Sequence, residues 1–502
     1  MLTEWQMLLL ACAIILLSWL KSQQLTRKPN LPPGTRLPSM PPLSSFIGHL
    51  ELLDPVLYKK AVKMAKEYGP VFRLQLFSRE VVIVNDFDSL KAFGAAKELL
   101  YRPPEMNRGR ECYNGILTLN GDMWTANRRL CLTVLRDLGF ANDKMEQNIM
   151  KELQILKEKI ENRKGEPVPV SPYITECLTC NIASFFYGSS IPKNSAIRSD
   201  FNGVLRKFLE VFGVLDILDF VPRLLQQALG YFSFTSIYKG QVLMKELDEF
   251  IIKEIIEKSH EDPDDLGENF LRLFREKIRA SYHSLDPVLE YTSLVGNVKS
   301  LIGAGVVTAS SSLLFHLANF AAHADTLQDR VQREIDDVIG PDREPTWSDR
   351  MRMPFTLACI YEAERCGESV PLGLPRVCNE DTVVDKYFIP KGTLVLMNLW
   401  GINNDPRYWK DPQRFNPLRY LSADGSFSHQ TTKRHAAFSS GRRSCPGESY
   451  ALMMIFLMLT YLLQKYRIVN DEPFPFDCEQ DFGVYDLKKL KVRFLPRCGT
   501  RD

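Results

Sequence analysis

A loop-to-helix junction near the C-terminus leaves the fewest folds open. Phe438-Ser-Ser-Gly441-Arg442-Arg443-Ser444-Cys445-Pro446-Gly447 runs into residues 449–466, a segment apolar almost all round. A helix with no polar stripe has no face for water, so other chain must surround it. The junction itself is chemically coherent. Free N–H groups and the dipole of a helix N-terminus supply the positive potential that a thiolate at Cys445 needs. Pro446 sits where a missing N–H costs nothing. Gly441 and Gly447 let backbone approach a flat ligand closely, and Arg443 can pair with an anion. Five such fixed positions (Phe438, Gly441, Arg443, Cys445, Gly447) arise by chance about once in 10⁴ chains of this length. A buried structural cysteine after a turn, the plainer reading, would need none of that company.

The remaining pattern is mainly α with a small β portion. Long helical periods cover residues 291–322, 351–365 and 449–466, and a further helix begins near Asp122. Short strand-like runs lie at 71–76, 81–84, 393–397 and 490–494. No repeat or second linker interrupts residues 46–502, which read as one large domain. The 63 basic and 61 acidic residues nearly cancel, to a net charge of +2, which excludes a nucleic-acid binder. Eleven cysteines in 502 residues are too dilute for a disulfide scaffold. No GxGxxG follows a strand, and neither a Walker loop nor a zinc-protease histidine pair is present. Cys177 and Cys180 form an isolated C-x-x-C on a helical pattern, and read as packing residues.

At the other end, Met7 to Leu20 carries no charge, and Lys21, Arg27 and Lys28 follow it. Residues 1–21 read as a membrane anchor with the bulk of the chain in the cytosol. A cleaved signal peptide would want its basic residues before the apolar run and small residues at its end. Residues 22–45, with Pro29, Pro32, Pro33, Pro38, Pro41 and Pro42, read as a stiff hinge.

These residues together resemble the cytochrome P450 superfamily, the heme-thiolate monooxygenases. Residues 68–76, 115–138 and 347–421 look like the second family of animal microsomal P450s and its relatives. The resemblance implies a long central helix, with heme b (iron protoporphyrin IX) between it and the Cys445 loop, whose thiolate ligates the iron. Trp124 and Arg128, one helical turn apart, fit the W-x-x-x-R pair that bonds a heme propionate. Arg376 and Arg102 fall where two further propionate partners are expected, surface arginines being the alternative for both. Glu362, Arg365 and Arg419 fit a buried structural triad, with Arg414 a decoy for the third place. Phe438, Gly447 and Ala304 belong to the implied heme contacts.

One departure stands out. The central helix reads Gly303-Ala304-Gly305-Val306-Val307-Thr308, with Val307 where the family carries an acid beside the Thr308 alcohol. Thr308 can bond back to its own helix or face dioxygen, and the resemblance implies the second. Without the acid, the expectation is a working but leaky oxygenase. Val307, Val370, Leu374 and the stretch 201–234 point to a lipophilic substrate, although any core would contain such residues.

No nicotinamide or flavin site is visible, so the resemblance implies NADPH-cytochrome P450 reductase as partner, with cytochrome b5 as a second donor. Lys433, Arg434, Arg442 and Arg129 offer it a basic face; a solvated rim is the plain alternative. The implied place is the endoplasmic reticulum membrane, among membrane lipid. Two other functions fit the motifs less well: an electron-independent isomerase or dehydratase of lipid peroxides, and a non-catalytic heme binder.

Overall fold

The computed structural model describes residues 31–497, apart from 46, 78, 108–112, 141–142, 189–190, 194, 196–197, 202, 205–217, 219, 222, 258–267, 282–286, 368, 472–486 and 488. The expected anchor and the first part of the hinge, residues 1–30, lie outside the described residues. So does much of the 201–234 stretch.

The principal helices are α1 (Leu57–Tyr68), α2 (Phe87–Ala95), α3 (Gly121–Asp137), α4 (Asp143–Glu161), α5 (Val170–Tyr187), α6 (Ser236–Phe250), α7 (Phe270–Ser281), α8 (Pro287–Ala322), α9 (Asp329–Val338), α10 (Pro354–Cys366) and α11 (Glu448–Lys465). Helix α8 is long and apolar enough to cross a membrane, but 67% of that window is buried inside the protein. It is the central rod: α5 lies along it, and α7, α10 and α11 touch it. Helix α11 is buried almost without interruption from Leu452 to Gln464, as its all-round apolarity requires.

Local chemistry sets the boundaries. The expected helix at 351–365 is two pieces, a 3₁₀ turn at Trp347–Arg352 and then α10. Pro354 occupies the first helical turn, where its missing N–H is harmless. The carboxylate of Glu334 on α9 accepts from the free N–H groups of Phe355 (2.9 Å) and Thr356 (2.7 Å), capping that end. Helix α11 stops at Lys465, one residue short of the expectation, because Tyr466 turns extended and pairs with Pro496.

The strands are β1 (Val71–Leu76), β2 (Arg79–Val84), β3 (Val168–Pro169), β4 (Arg376–Val377), β5 (Thr382–Val384), β6 (Tyr387–Ile389), β7 (Leu394–Met397), β8 (Tyr466–Asn470) and β9 (Lys491–Pro496). One sheet has the order β1-β2-β7-β4, in which β2 and β7 run parallel with Val81 opposite Leu394. Strand β7 thereby carries β4, and with it Arg376, opposite Val395. Strand β8 has no counterpart in the sequence reading. Its residues, Tyr-Arg-Ile-Val-Asn, continue a helical apolar run, and only the partner β9 makes them a strand.

Candidate active site

The loop before α11 is tied down by its own backbone. Cys445 N–H donates to Phe438 O (2.9 Å), and Ser444 N–H to Gly441 O (3.0 Å). Arg128 Nη2, from α3, donates to Ser444 O (2.8 Å). Gly441 has φ +78°, and a Cβ there would lie 2.1 Å from Gly94 O on α2. Its close approach is therefore to helix backbone rather than to a flat ligand, a correction to the sequence reading. Gly447 leaves open room, with its nearest foreign atom, Cys445 Sγ, 3.8 Å from a Cβ placed there.

That sulfur faces a cavity of about 250 Å³ (the room open to the centre of a water molecule). Burial pushes the Cys445 thiol pKa up, against the Gly447 N–H bond (3.3 Å) and the Arg128 charge, which favour the thiolate. Among the described residues, no group of three or more His, Cys, Asp or Glu could hold a metal ion. A metal here would take one protein donor and depend on a separate macrocycle for the others.

Arginines gather around the same loop. Arg102 (6% exposed) and Arg376 (2% exposed) are buried, so neither is a surface residue. Arg102 Nη1 donates to Leu374 O (2.7 Å) and Pro375 O (2.9 Å), and Arg376 Nη2 to Ser440 O (3.4 Å). The Arg443 guanidinium stacks on the Trp124 ring, 3.8 Å from its centroid. It donates to Leu100 O, Leu119 O and Ile116 O, so it also ties the 100–120 segment to the loop.

With Arg128 these cations share one region, and among the described residues none of the four has a carboxylate partner. Burial, then repulsion from Arg376 and Arg128, holds Arg443 down to about 9. Burial alone brings Arg376 down to about 10. Burial and the other three arginines push Arg102 well below its ordinary value. Three buried donors, Arg102 Nε, Arg376 Nη1 and Trp124 Nε1, have no acceptor among the described residues. Buried charges and donors left this way are expensive. The arrangement fits an anion with two acceptor groups, which is what a heme's propionates are.

The sequence matches the Cytochrome P450 family over residues 38–489. The chain belongs to the cytochrome P450 family. It is similar to cytochrome P450 2C41 of Canis lupus familiaris, at 32% identity covering 92% of each chain. It is also similar to cytochrome P450 2H2 of Gallus gallus, at 29% identity over 98% of each, and to cytochrome P450 2D9 of Mus musculus, at 31% over 85% and 84%. It is thus a heme-thiolate monooxygenase with family 2 relatives, and the cavity chemistry suits that group.

This P450 brings most of the sequence-selected residues together. Ala304, Thr308, Val370, Leu374, Phe438 and Gly447 all line the cavity. Trp124 stands behind Arg443 rather than in the lining. Thr308 Oγ1 donates to Ala304 O (2.9 Å). Val307 does not line the cavity; its side chain packs on the main core. The described part of 201–234 also stays out of it: Phe201 and Phe220 are core, while Tyr231 and Phe234 are exposed.

Glu362 accepts a two-pronged bond from Arg365 (2.9 Å each) and another from Arg419 Nε (3.0 Å). The decoy Arg414 contributes only its carbonyl, to Arg419 Nη2. Lys433, Arg434, Arg442 and Arg129 are exposed. Cys177 and Cys180 are buried in α5, and burial pushes the Cys180 thiol up to about 12. Sequence reasoning missed Ile182, Phe185 and Phe186 of α5, which close the cavity; nothing distinguishes them from other core residues in the chain.

Proposed function

We propose that this P450 inserts one oxygen atom from O2 into a lipophilic organic substrate, by hydroxylation or epoxidation. The electrons come from NADPH through cytochrome P450 reductase, with cytochrome b5 as an accessory donor. One observation carries the reading: a lone cavity-facing thiol, three buried arginines and the half-buried Arg128, none with a carboxylate partner among the described residues, bound the same, otherwise mostly apolar, cavity.

Cys445 ligates the iron of heme b. The free donors of Arg102, Arg376 and Trp124 take the propionates, while Arg443 and Arg128 add charge and hold the loop. When bound, the thiolate-ligated heme supplies dioxygen activation. The protein's own part is placement. The Gly447 N–H and the nearby Arg128 favour the sulfur as thiolate. Ile182, Phe185, Val370 and Leu374 exclude water and give an apolar substrate its binding energy. Thr308 offers a hydroxyl whose hydrogen is turned toward Ala304 O and whose lone pairs remain for a cavity water.

Residues 46–502 form the catalytic domain, 22–45 the hinge and 1–21 the anchor, which holds the domain on the cytosolic face of the endoplasmic reticulum among membrane lipid. The exposed Lys433, Arg434, Arg442 and Arg129 meet the reductase's acidic face.

The test is Cys445→Ser, examined as purified protein. The substitution abolishes the carbon-monoxide optical signature of the reduced wild type, together with NADPH-dependent product formation. A variant that keeps both overturns the assignment.

A further inference from the structure

The cavity of this P450 is mostly apolar. Among its described lining residues Glu364 is the only carboxylate, and aspartate and histidine are missing from that lining. Glu364 lies in the last turn of α10, between Ala363 and the buried Arg365, yet it takes no part in the neighbouring triad. All three of those bonds run to Glu362. Two residues along a helix are turned about 200° from each other, so Glu362 faces the triad and Glu364 faces α8.

There its Oε1 accepts from Ser312 Oγ, and Nε2 of His316 lies 3.3 Å from the same oxygen. Ser312 and His316 are one turn apart on α8, and Thr308 is one turn before Ser312, so the three share a face. Thr308, Ser312 and Glu364 all line the cavity, whereas His316 is buried behind them at 1% exposure. A hydroxyl can accept one proton and pass on another, and an imidazole can do the same through its two nitrogens. The arrangement is a short proton path ending beside Thr308.

We infer that Glu364 is the proton donor of this site. It delivers through the Ser312 hydroxyl to water beside Thr308, and His316 holds its carboxyl in place from behind. The inference rests on the monooxygenase reading, whose balance is RH + O2 + 2 e⁻ + 2 H⁺ → ROH + H2O. NADPH supplies both electrons through the reductase. Glu364 passes the two protons inward one after the other and regains each from solvent, so it is unchanged overall. A carboxyl on α10 thus does what an acid at position 307 would do on α8, and this P450 is not leaky despite Val307.

The experiment uses the full chain with reductase and NADPH, comparing wild type with Glu364→Gln, Glu364→Asp, Ser312→Ala and Val307→Glu. In Glu364→Gln, product per NADPH falls about 10²-fold, the low end for a positioned acid. Oxygen consumption continues and appears as hydrogen peroxide, and Glu364→Asp restores part of the product. Ser312→Ala, which removes only the link, shows the same diversion if Glu364→Gln does not fold. Val307→Glu, whose carboxylate would meet the core rather than the cavity, does not raise the wild-type yield.

A second readout needs no loaded enzyme: infrared spectra of the cofactor-free protein in H2O and D2O. Followed across pH, the wild-type minus Glu364→Gln difference isolates one carboxyl signal that exchanges its proton with solvent. Wild-type coupling in both Glu364→Gln and Ser312→Ala overturns the inference, as does a difference spectrum without that exchanging carboxyl signal. Failure of the monooxygenase reading looks different: the wild type itself then consumes no NADPH, and the infrared difference still decides whether Glu364 exchanges a proton.

Discussion

Arg365→Ala tests whether the interior of this P450 is held by charge. The Glu362 and Arg365 side chains are 0% exposed and that of Arg419 is 10% exposed. The substitution removes two bonds to Glu362 and one from Arg365 Nη1 to Asn403 O, each 2.9 Å. It leaves the Glu362 carboxylate to Arg419 Nε (3.0 Å) and Asn416 N–H (2.7 Å). Breaking a buried pair costs about 3–5 kcal/mol because a charge is stranded. Arg419 still faces Glu362, so the loss sits near the lower figure, about 3 kcal/mol, or roughly 10² in the folded-to-unfolded ratio. Arg365→Lys recovers only part of this, since an ammonium cannot make the planar two-pronged contact. Urea unfolding followed by circular dichroism reads the loss, with heme saturation matched because a bound group shifts the midpoint. A double-mutant cycle with Glu362→Gln isolates the pair, and should show coupling of about 1–3 kcal/mol. A loss under about 1 kcal/mol, or strictly additive variants, would refute the argument that stranded charge sets the penalty.

Two more perturbations follow from the loop and its surroundings. Gly441→Ala strains a φ of +78° and drives a Cβ to 2.1 Å from Gly94 O, so urea unfolding should show at least about 2 kcal/mol lost. Gly447→Ala meets nothing closer than 3.8 Å, so it should keep the unfolding midpoint of the heme-free protein while lowering heme content. Equal behaviour of the two would contradict the geometry. His435, ringed by Tyr361, Tyr420 and Phe438, is pushed down to about 4 by burial, against the nearby Glu364 and with the help of Arg365. Its folded value lies below the unfolded one, so the unfolded chain takes up the proton first as pH drops. Stability is complete above about 6.5 and falls toward pH 4 by about 1.4 kcal/mol per unit. Unfolding midpoints of wild type and His435→Gln across that window should differ in slope by this amount; parallel slopes would refute it.

The Cys445 loop was readable because its residues are neighbours. Phe438, Gly441, Arg443, Cys445 and Gly447 lie within ten positions, and the apolar helix that follows can only be internal. Glu362, Arg365 and Arg419 were legible only through the family resemblance, since an E-x-x-R spacing by itself arises by chance in a chain this long. Boundaries were less so: the helix expected at 351–365 begins only at Pro354, and the end of α11 depended on the distant β9 pairing with Tyr466.

By itself, then, the sequence determined the kind of chemistry: a thiol at a helix start, arginines to hold an anion, and a mostly helical body to enclose them. Each of these follows from local periodicity and side-chain type. Tertiary structure alone decided which arginines are buried without counter-charge, that Gly441 abuts Gly94 rather than a ligand, and that Val307 turns to the core. It also decided that Glu364, unremarkable beside its triad neighbours in the chain, meets Ser312 and His316 some fifty residues away. Such outcomes depend on the rotation of one helix against another. A string of residues carries that rotation only through the packing of every side chain between them.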